Sequence, residues 1–178
     1  MTNWMQHLPI LPVVIPLICG ALMLVVRDSN RRGRLTLGFV SILAQLAVAI
    51  TLLCLSAGYL PNEWPDGVGV YLLGDWPAPF GIVAVVDRLA VVMLVLTAIL
   101  GLSAWIYATA RWDRAGVHFH PLFQFLLMGL NGAFLTGDLF NLFVFFEVLL
   151  AASYGLAMHG SGRARVTAGL HYVAVNLV

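Results

Sequence analysis

The sequence predicts an all-α integral membrane protein, a polytopic bundle of about six transmembrane helices. Of its 178 residues, 61% are hydrophobic and only 10% are charged, whereas a soluble domain is about half apolar and a quarter charged. The mean hydropathy is +0.95, and the core of so small a domain could not hide this apolar surplus from water. Composition therefore excludes an ordinary soluble fold, and no basic stripe indicates nucleic-acid binding.

Six apolar stretches define a single membrane domain, residues 1–178. A helix needs about 20 apolar residues to cross the hydrocarbon layer. The predicted spans are 8–26, 35–60, 89–110, 119–136, 139–158 and an incomplete 166–178. Pro9, Pro12 and Pro16 are expected in the first turns of the first span, where a missing N–H costs least. Because the sixth stretch would be only about 20 Å long, we expect a truncated or split chain.

The arginines predict the orientation of the bundle. All nine basic residues are arginines, and eight of them fall between spans one and two, three and four, or five and six. The positive-inside rule makes these connections cytoplasmic and places the N-terminus outside. The exception, Arg88, follows Asp87 at the start of the third span, and we interpret the two as a structural, interfacial charge pair.

The long outer connection, 61–86, predicts a short extracytoplasmic β-hairpin between the second and third helices. Two β-rich runs, 68–73 and 80–86, flank Gly-Asp-Trp-Pro-Ala-Pro at 74–79. Glycine and proline mark turns, and valine-rich runs favour strands. The two cysteines, Cys19 and Cys54, lie in apolar runs, and we interpret them as small hydrophobic residues.

One acidic residue, Glu147, lies inside the fifth predicted span. It follows Asp138 by about 13.5 Å of helix axis, close to the midplane if Asp138 marks the outer edge. A carboxylate at that depth costs about 2.5–3.5 kcal/mol, so it should be buried and face the bundle interior. Desolvation raises a carboxyl pKa and a nearby cation lowers it, so a balanced carboxyl could load and release protons. The alternative is a protonated glutamic acid that hydrogen-bonds a neighbouring helix.

Two further residues could belong to a proton path. Asp138, between spans four and five, is either the N-cap of the fifth helix or the mouth of an ion path. His171, near the start of the sixth span, could relay protons because a histidine titrates near neutral pH, or it could be a packing residue. His118 and His120 are too few to bind a metal, and we predict no metal, cofactor or enzyme site.

The segment 134–149 reads Phe-Leu-Thr-Gly-Asp-Leu-Phe-Asn-Leu-Phe-Val-Phe-Phe-Glu-Val-Leu. It resembles the fourth-to-fifth helix junction of the D-type subunit of the multisubunit Mrp (Pha, Mnh) cation/proton antiporters, and 73–82, 86–89 and 169–174 resemble the same protein. The D-type subunit is similar to the antiporter-like, proton-pumping membrane subunits of respiratory complex I. The resemblance implies a longer bundle with two inverted repeats, in which a glutamate matched by Glu147 pairs with a lysine of the seventh helix. This chain contains no lysine.

The predicted function is therefore that of an N-terminal fragment of an ion-translocating subunit of a multisubunit monovalent cation/proton antiporter. It would be a secondary transporter subunit of the bacterial inner membrane and not an enzyme. Its partners would be other subunits of the complex, protons, Na⁺ or K⁺, and the lipid bilayer. Two alternatives stay open: a proton-pumping subunit of NADH:quinone oxidoreductase or a related hydrogenase, and a truncated, non-transporting scaffold bundle.

Overall fold

The computed structural model describes residues 3–25, 30–61, 64–76, 81–116, 118–160 and 162–177. Within these ranges the protein has six α-helices and one antiparallel β-hairpin. The helices are α1 Leu11–Val25, α2 Arg31–Ser56, α3 Arg88–Ala110, α4 Phe119–Leu135, α5 Leu139–Ala157 and α6 Arg163–Leu177. The strands are β1 Gly69–Leu72 and β2 Val83–Val86, and 3₁₀ helices include Asn3–Ile10 and Trp112–Ala115. The predicted all-α bundle with a hairpin between its second and third helices is confirmed.

Among the described residues, four helical segments are long and apolar enough to cross a membrane, namely Met5–Val25, α2, α3 and α5. α4 is also apolar but has only 17 residues. α2 begins at Arg31, before the predicted start of its span at residue 35. α6 likewise begins at Arg163, before residue 166, so arginines assigned to loops lie in the first turns of these helices.

Helices α2 and α3 each begin after a polar residue whose side chain accepts a hydrogen bond from the first turn. The Asn30 Oδ1 atom accepts from the Gly33 amide at 3.0 Å, and the Asp87 Oδ1 atom accepts from the Ala90 amide at 2.6 Å. These bonds satisfy amides that have no partner within the helix. Asp87 is thus the N-cap of α3, and Arg88 is exposed at the first helical position.

The helices pack around α4, which contacts α1, α2, α3 and α5. One hydrophobic cluster lies at the end of the bundle that carries the hairpin, where Val86 and Leu135 are buried beside Leu52. A second cluster at the opposite end surrounds Trp105, which packs against Phe123 with ring centroids 5.5 Å apart. Because each cluster draws on several helices, the two together set the rotation of each helix about its axis.

The hairpin is joined to the junction between α4 and α5. β1 and β2 pair in the register Gly69 with Val86 to Leu72 with Val83. Thr136 adds an isolated antiparallel bridge to Ala84. The hairpin therefore holds the start of α5 in place at this end of the bundle.

The expectation that all three prolines lie in the first turns of one span is wrong for Pro16. Pro9 lies in the 3₁₀ helix Asn3–Ile10, and α1 starts only at Leu11, so Pro16 lies inside α1. Pro16 has no N–H to donate to the carbonyl oxygen of Pro12, four residues earlier. The side-chain amide of Asn131 on α4 donates to that oxygen at 2.8 Å instead.

Candidate functional site on helix α5

Helix α5 is capped and anchored at its N-terminal end. One carboxylate oxygen of Asp138 accepts a hydrogen bond from the Asn141 amide at 2.7 Å, and the other accepts from the Asn141 side chain. The Gly137 amide donates to the Val83 carbonyl of the hairpin at 2.8 Å. Asp138 is thus the N-cap of α5. The hydrogen bonds from the Asn141 side chain and backbone hold the pKa of the Asp138 carboxyl below its usual value.

Glycines on α4 determine which face of α5 points towards α4. A β-carbon at Gly132 would lie 2.2 Å from the Phe145 ring. One at Gly129 would lie 2.9 Å from the backbone nitrogen of Leu149. Both approaches are closer than real β-carbon contacts, so the two helices cross tightly because these positions lack side chains. Phe145 and Leu149 therefore mark the face of α5 that packs on α4.

Glu147 lies on the opposite face of α5. It is two residues from both Phe145 and Leu149, which places it about 200° around the helix from each. Glu147 is exposed in the structure. The expectation of a glutamate buried in the bundle interior is thus not met within the described residues, because no other helix described here covers this face at the level of Glu147.

The face that carries Glu147 is otherwise mostly apolar. Phe140 and Phe143 are 75% and 62% exposed. Phe140, Glu147 and Tyr154 recur every seven residues, about two helical turns, and so share one stripe. The carboxylate therefore interrupts an apolar surface at about the middle of the helix.

Helix α6 packs against the C-terminal half of α5. The rings of Tyr154 and Tyr172 meet edge to face with centroids 5.4 Å apart. The Ser153 hydroxyl oxygen lies 3.5 Å from the Tyr172 hydroxyl oxygen. A β-carbon at Gly169 would lie 2.8 Å from Met158, so the two helices run in opposite directions along this contact. α6 thus packs against the part of α5 that carries Ser153 and Tyr154.

The structure does not bring His171 together with Glu147. His171 is exposed and precedes Tyr172, which lies level with Ser153 and Tyr154. At 1.5 Å per residue, that level is about 10 Å along the axis from Glu147. A direct hydrogen bond between the two is excluded by this separation. A role for His171 in proton relay stays a prediction that would require intermediate groups.

Sequence reasoning missed an ionic cluster at the end of the bundle where the predicted cytoplasmic connections meet. The Arg31 guanidinium binds both carboxylate oxygens of Asp113, at 2.8 and 3.1 Å. His120 Nε2 lies 3.4 Å from the same carboxylate. Arg165 stacks over the Trp112 ring at 4.7 Å. Arg31 and Arg165, from two different connections, thus meet the third connection at one end of the bundle, as the predicted orientation requires. The sequence around either residue does not predict this ion pair, because Arg31 and Asp113 are 82 residues apart.

Sequence reasoning also missed a series of hydrogen-bonded amide and hydroxyl side chains buried inside the bundle. Asn131 donates to Gln45 at 3.0 Å, Gln45 donates to Ser41 at 3.1 Å, and Ser41 donates to Gln124 at 2.8 Å. All four side chains are buried. A signal was present in the sequence, because Ser41 and Gln45 are four residues apart and share a face within the otherwise apolar stretch 37–50 of α2.

The sequence is similar to those of known membrane transport and respiratory proteins. No family model matches the sequence. The chain is 56% identical over 180 residues to a probable K(+)/H(+) antiporter D-type subunit from Rhizobium meliloti (strain 1021), an alignment that covers 99% of this chain and 32% of the relative. It is 40% identical over 175 residues to the N-type subunit of NADH-quinone oxidoreductase from Desulforudis audaxviator (strain MP104C), covering 95% of this chain and 33% of that protein.

A solved structure supports the same relationship. The fold matches a chain in the structure of the Mrp complex from Dietzia sp. DQ12-45-1b with a TM-score of 0.82 and 36% sequence identity. The match covers 99% of this chain and 32% of that chain. The chain thus spans about a third of the length of the curated relatives it matches. It is therefore a homologue of the membrane-embedded D-type subunits of Mrp-type antiporters and corresponds to about one third of such a protein.

Proposed function

We propose that this chain is the N-terminal third of an ion-translocating subunit of a multisubunit monovalent cation/proton antiporter in the bacterial cell membrane. Glu147 is then a proton-carrying carboxylate of that subunit. One observation carries the proposal. A chain that aligns over 99% of its length with an antiporter D-type subunit holds a carboxylate in the middle of an apolar helix, on a face left open by the helices that the structure describes.

The face of α5 that carries Glu147 is unfavourable for contact with lipid. A carboxylate that faced the hydrocarbon at this depth would cost about 2.5–3.5 kcal/mol even on lenient insertion scales. Intramembrane acids therefore face protein or water-filled cavities. The relatives are about three times as long as this chain, so the remainder of the subunit provides the cover. The resemblance implies that a lysine of the seventh helix lies there, opposite Glu147.

Such surroundings suit reversible proton binding. Burial disfavours the ionised carboxylate, and a neighbouring cation favours it. A change in the distance of that cation would load or release a proton at Glu147. Moving one charge through 100 mV of membrane potential is worth about 2.3 kcal/mol. The potential can thus drive the exchange of protons for Na⁺ or K⁺ without a redox cofactor.

The test replaces Glu147 with glutamine in the full-length subunit, expressed with the other subunits of its complex. Glutamine keeps the size and polarity of the side chain but cannot release a proton. We expect cation-driven proton movement in everted vesicles to be lost while the assembled complex persists on native gels. Asp66→Asn is the matched control, because Asp66 is exposed in the outer loop and its loss of charge should leave transport unchanged. Normal transport by the Glu147→Gln complex would refute the role of this carboxylate.

A second candidate is supported by the 40% identity to the N-type subunit of NADH-quinone oxidoreductase. In that case the subunit would pump protons in a complex with a redox arm. Purification of the complex decides between them, since bound flavin or iron–sulfur clusters would favour the redox complex. The third possibility, a non-transporting scaffold bundle, predicts that a complex carrying Glu147→Gln transports normally.

A further inference from the structure

Three hydroxyl groups lie together where α6 packs on α5. Ser153 and Tyr154 are adjacent on α5, and Tyr172 comes from α6. The Ser153 hydroxyl donates to the Leu150 carbonyl at 2.8 Å, and its oxygen lies 3.5 Å from the Tyr172 hydroxyl. The Tyr154 hydroxyl oxygen is occluded and has no hydrogen-bond partner among the described residues. An occluded phenol without a partner is costly unless a water or a proton donor occupies the space beside it.

These hydroxyls lie between Glu147 and the end of the bundle that carries the arginines. Tyr154 follows Glu147 by seven residues, so it lies on the same stripe and about 10 Å nearer to that end. Ala151 lies between them on the stripe, and its small side chain leaves the surface open. Tyr154 on α5 and Tyr172 on α6 thus lie at a level between the predicted cytoplasmic end and Glu147.

The environment of Tyr154 differs from that of an aromatic anchor at the membrane surface. Such anchors place their polar end in the headgroup region. Tyr107 fits that description, because its side chain is 82% exposed. The Tyr154 ring instead packs edge to face against the Tyr172 ring of α6, and the Tyr154 hydroxyl oxygen is occluded. Its position therefore indicates a role inside the protein.

We propose that Tyr154 and Tyr172, together with Ser153, form a proton relay between the predicted cytoplasmic side and Glu147. A hydroxyl can accept one proton while it donates another. A proton that reaches the Tyr172 oxygen is matched by release of the Tyr172 proton, through a water beside the Tyr154 hydroxyl, to the Tyr154 oxygen. The Tyr154 proton then passes through water to the Glu147 carboxylate. Each hydroxyl ends neutral, and only Glu147 changes its charge. This relay rests on the proposed function of Glu147.

The experiment compares Tyr154→Phe, Tyr172→Phe and the double variant in the full-length subunit within its complete complex. Phenylalanine keeps the edge-to-face ring contact and removes only the hydroxyl, so packing and proton relay are separated. Tyr107→Phe is the matched control. Initial rates of proton movement are measured in everted vesicles, with the cation concentration varied at several values of the pH on the cytoplasmic side.

The relay predicts that the double variant lowers the maximal rate by about tenfold or more, as expected when a positioned proton-transfer group is lost. The cation concentration for half-maximal rate should stay unchanged, and the defect should depend on the cytoplasmic pH. A double variant as fast as Tyr107→Phe would overturn the relay. If Glu147→Gln abolishes transport while the tyrosine variants transport normally, only the relay fails. If Glu147→Gln transports normally, the proposed function fails, and the relay fails with it.

Discussion

Asn131 should stabilise the bundle because it supplies the hydrogen bond that Pro16 cannot make. Its side-chain amide donates to the Pro12 carbonyl at 2.8 Å and to the Gln45 side-chain oxygen at 3.0 Å. Asn131 is only 3% exposed, so water does not replace these bonds when the side chain is changed. Asn131→Leu keeps a similar volume and leaves both acceptors without a donor.

The size of the effect follows from these two bonds. A buried acceptor without a donor costs about 1–3 kcal/mol in water-soluble proteins. Hydrogen bonds between membrane helices contribute about 0.6 kcal/mol on average and about 1.7 at most, since the unfolded chain also finds partners. Two such bonds predict that Asn131→Leu lowers the free energy of unfolding by about 1–3 kcal/mol.

Pro16→Ala provides a specific rescue. Alanine has an N–H four residues after Pro12 and can donate to the same carbonyl oxygen along the helix. In the Asn131→Leu background this substitution should recover about half of the lost stability, because one of the two acceptors regains a donor. The coupling in a double-mutant cycle isolates this effect from any general effect of removing the proline.

The assay is unfolding of the full-length subunit by SDS titration in mixed micelles. The control cycle pairs Pro16→Ala with Ser103→Ala, since Ser103 is exposed on α3 and bonds the Ile99 carbonyl of its own helix. That cycle should show no coupling. If Pro16→Ala stabilises the Asn131→Leu variant no more than it stabilises the parent, Asn131 does not replace the missing bond of Pro16, and the explanation is wrong.

The remaining predictions concern packing and charge, and thermal unfolding in detergent measures both. Gly132→Ala places a methyl group 2.2 Å from the Phe145 ring and should cost about 1–3 kcal/mol by forcing α5 away from α4. Gly101→Ala meets only a flexible side chain at 3.1 Å and should cost less, so equal losses would contradict the close crossing. Asp113→Asn removes the carboxylate that binds Arg31 and should cost about 1–3 kcal/mol. Its control is Asp66→Asn, and an equally stable Asp113→Asn protein would show that the cluster contributes nothing.

The sequence by itself determined the features that depend on local composition. Apolar runs of sufficient length predicted the helices, and the β-rich runs around the Gly-Asp-Trp-Pro-Ala-Pro turn at 74–79 predicted the hairpin. The residues 134–149 carried the resemblance to the D-type antiporter subunits. The position of Glu147 along α5 also followed, because helical rise converts residue number into depth.

The tertiary structure decided how each helix is rotated about its axis, and therefore what its polar residues meet. The close crossing at Gly129 and Gly132 turns Glu147 away from α4, although depth alone suggested a glutamate facing the bundle interior. Asn131 and Pro12 are 119 residues apart in sequence, yet they form one hydrogen bond. Hydropathy is the same whichever way an apolar helix is turned. Rotation depends on the shapes of neighbouring helices, and those contacts exist only once the chain has folded.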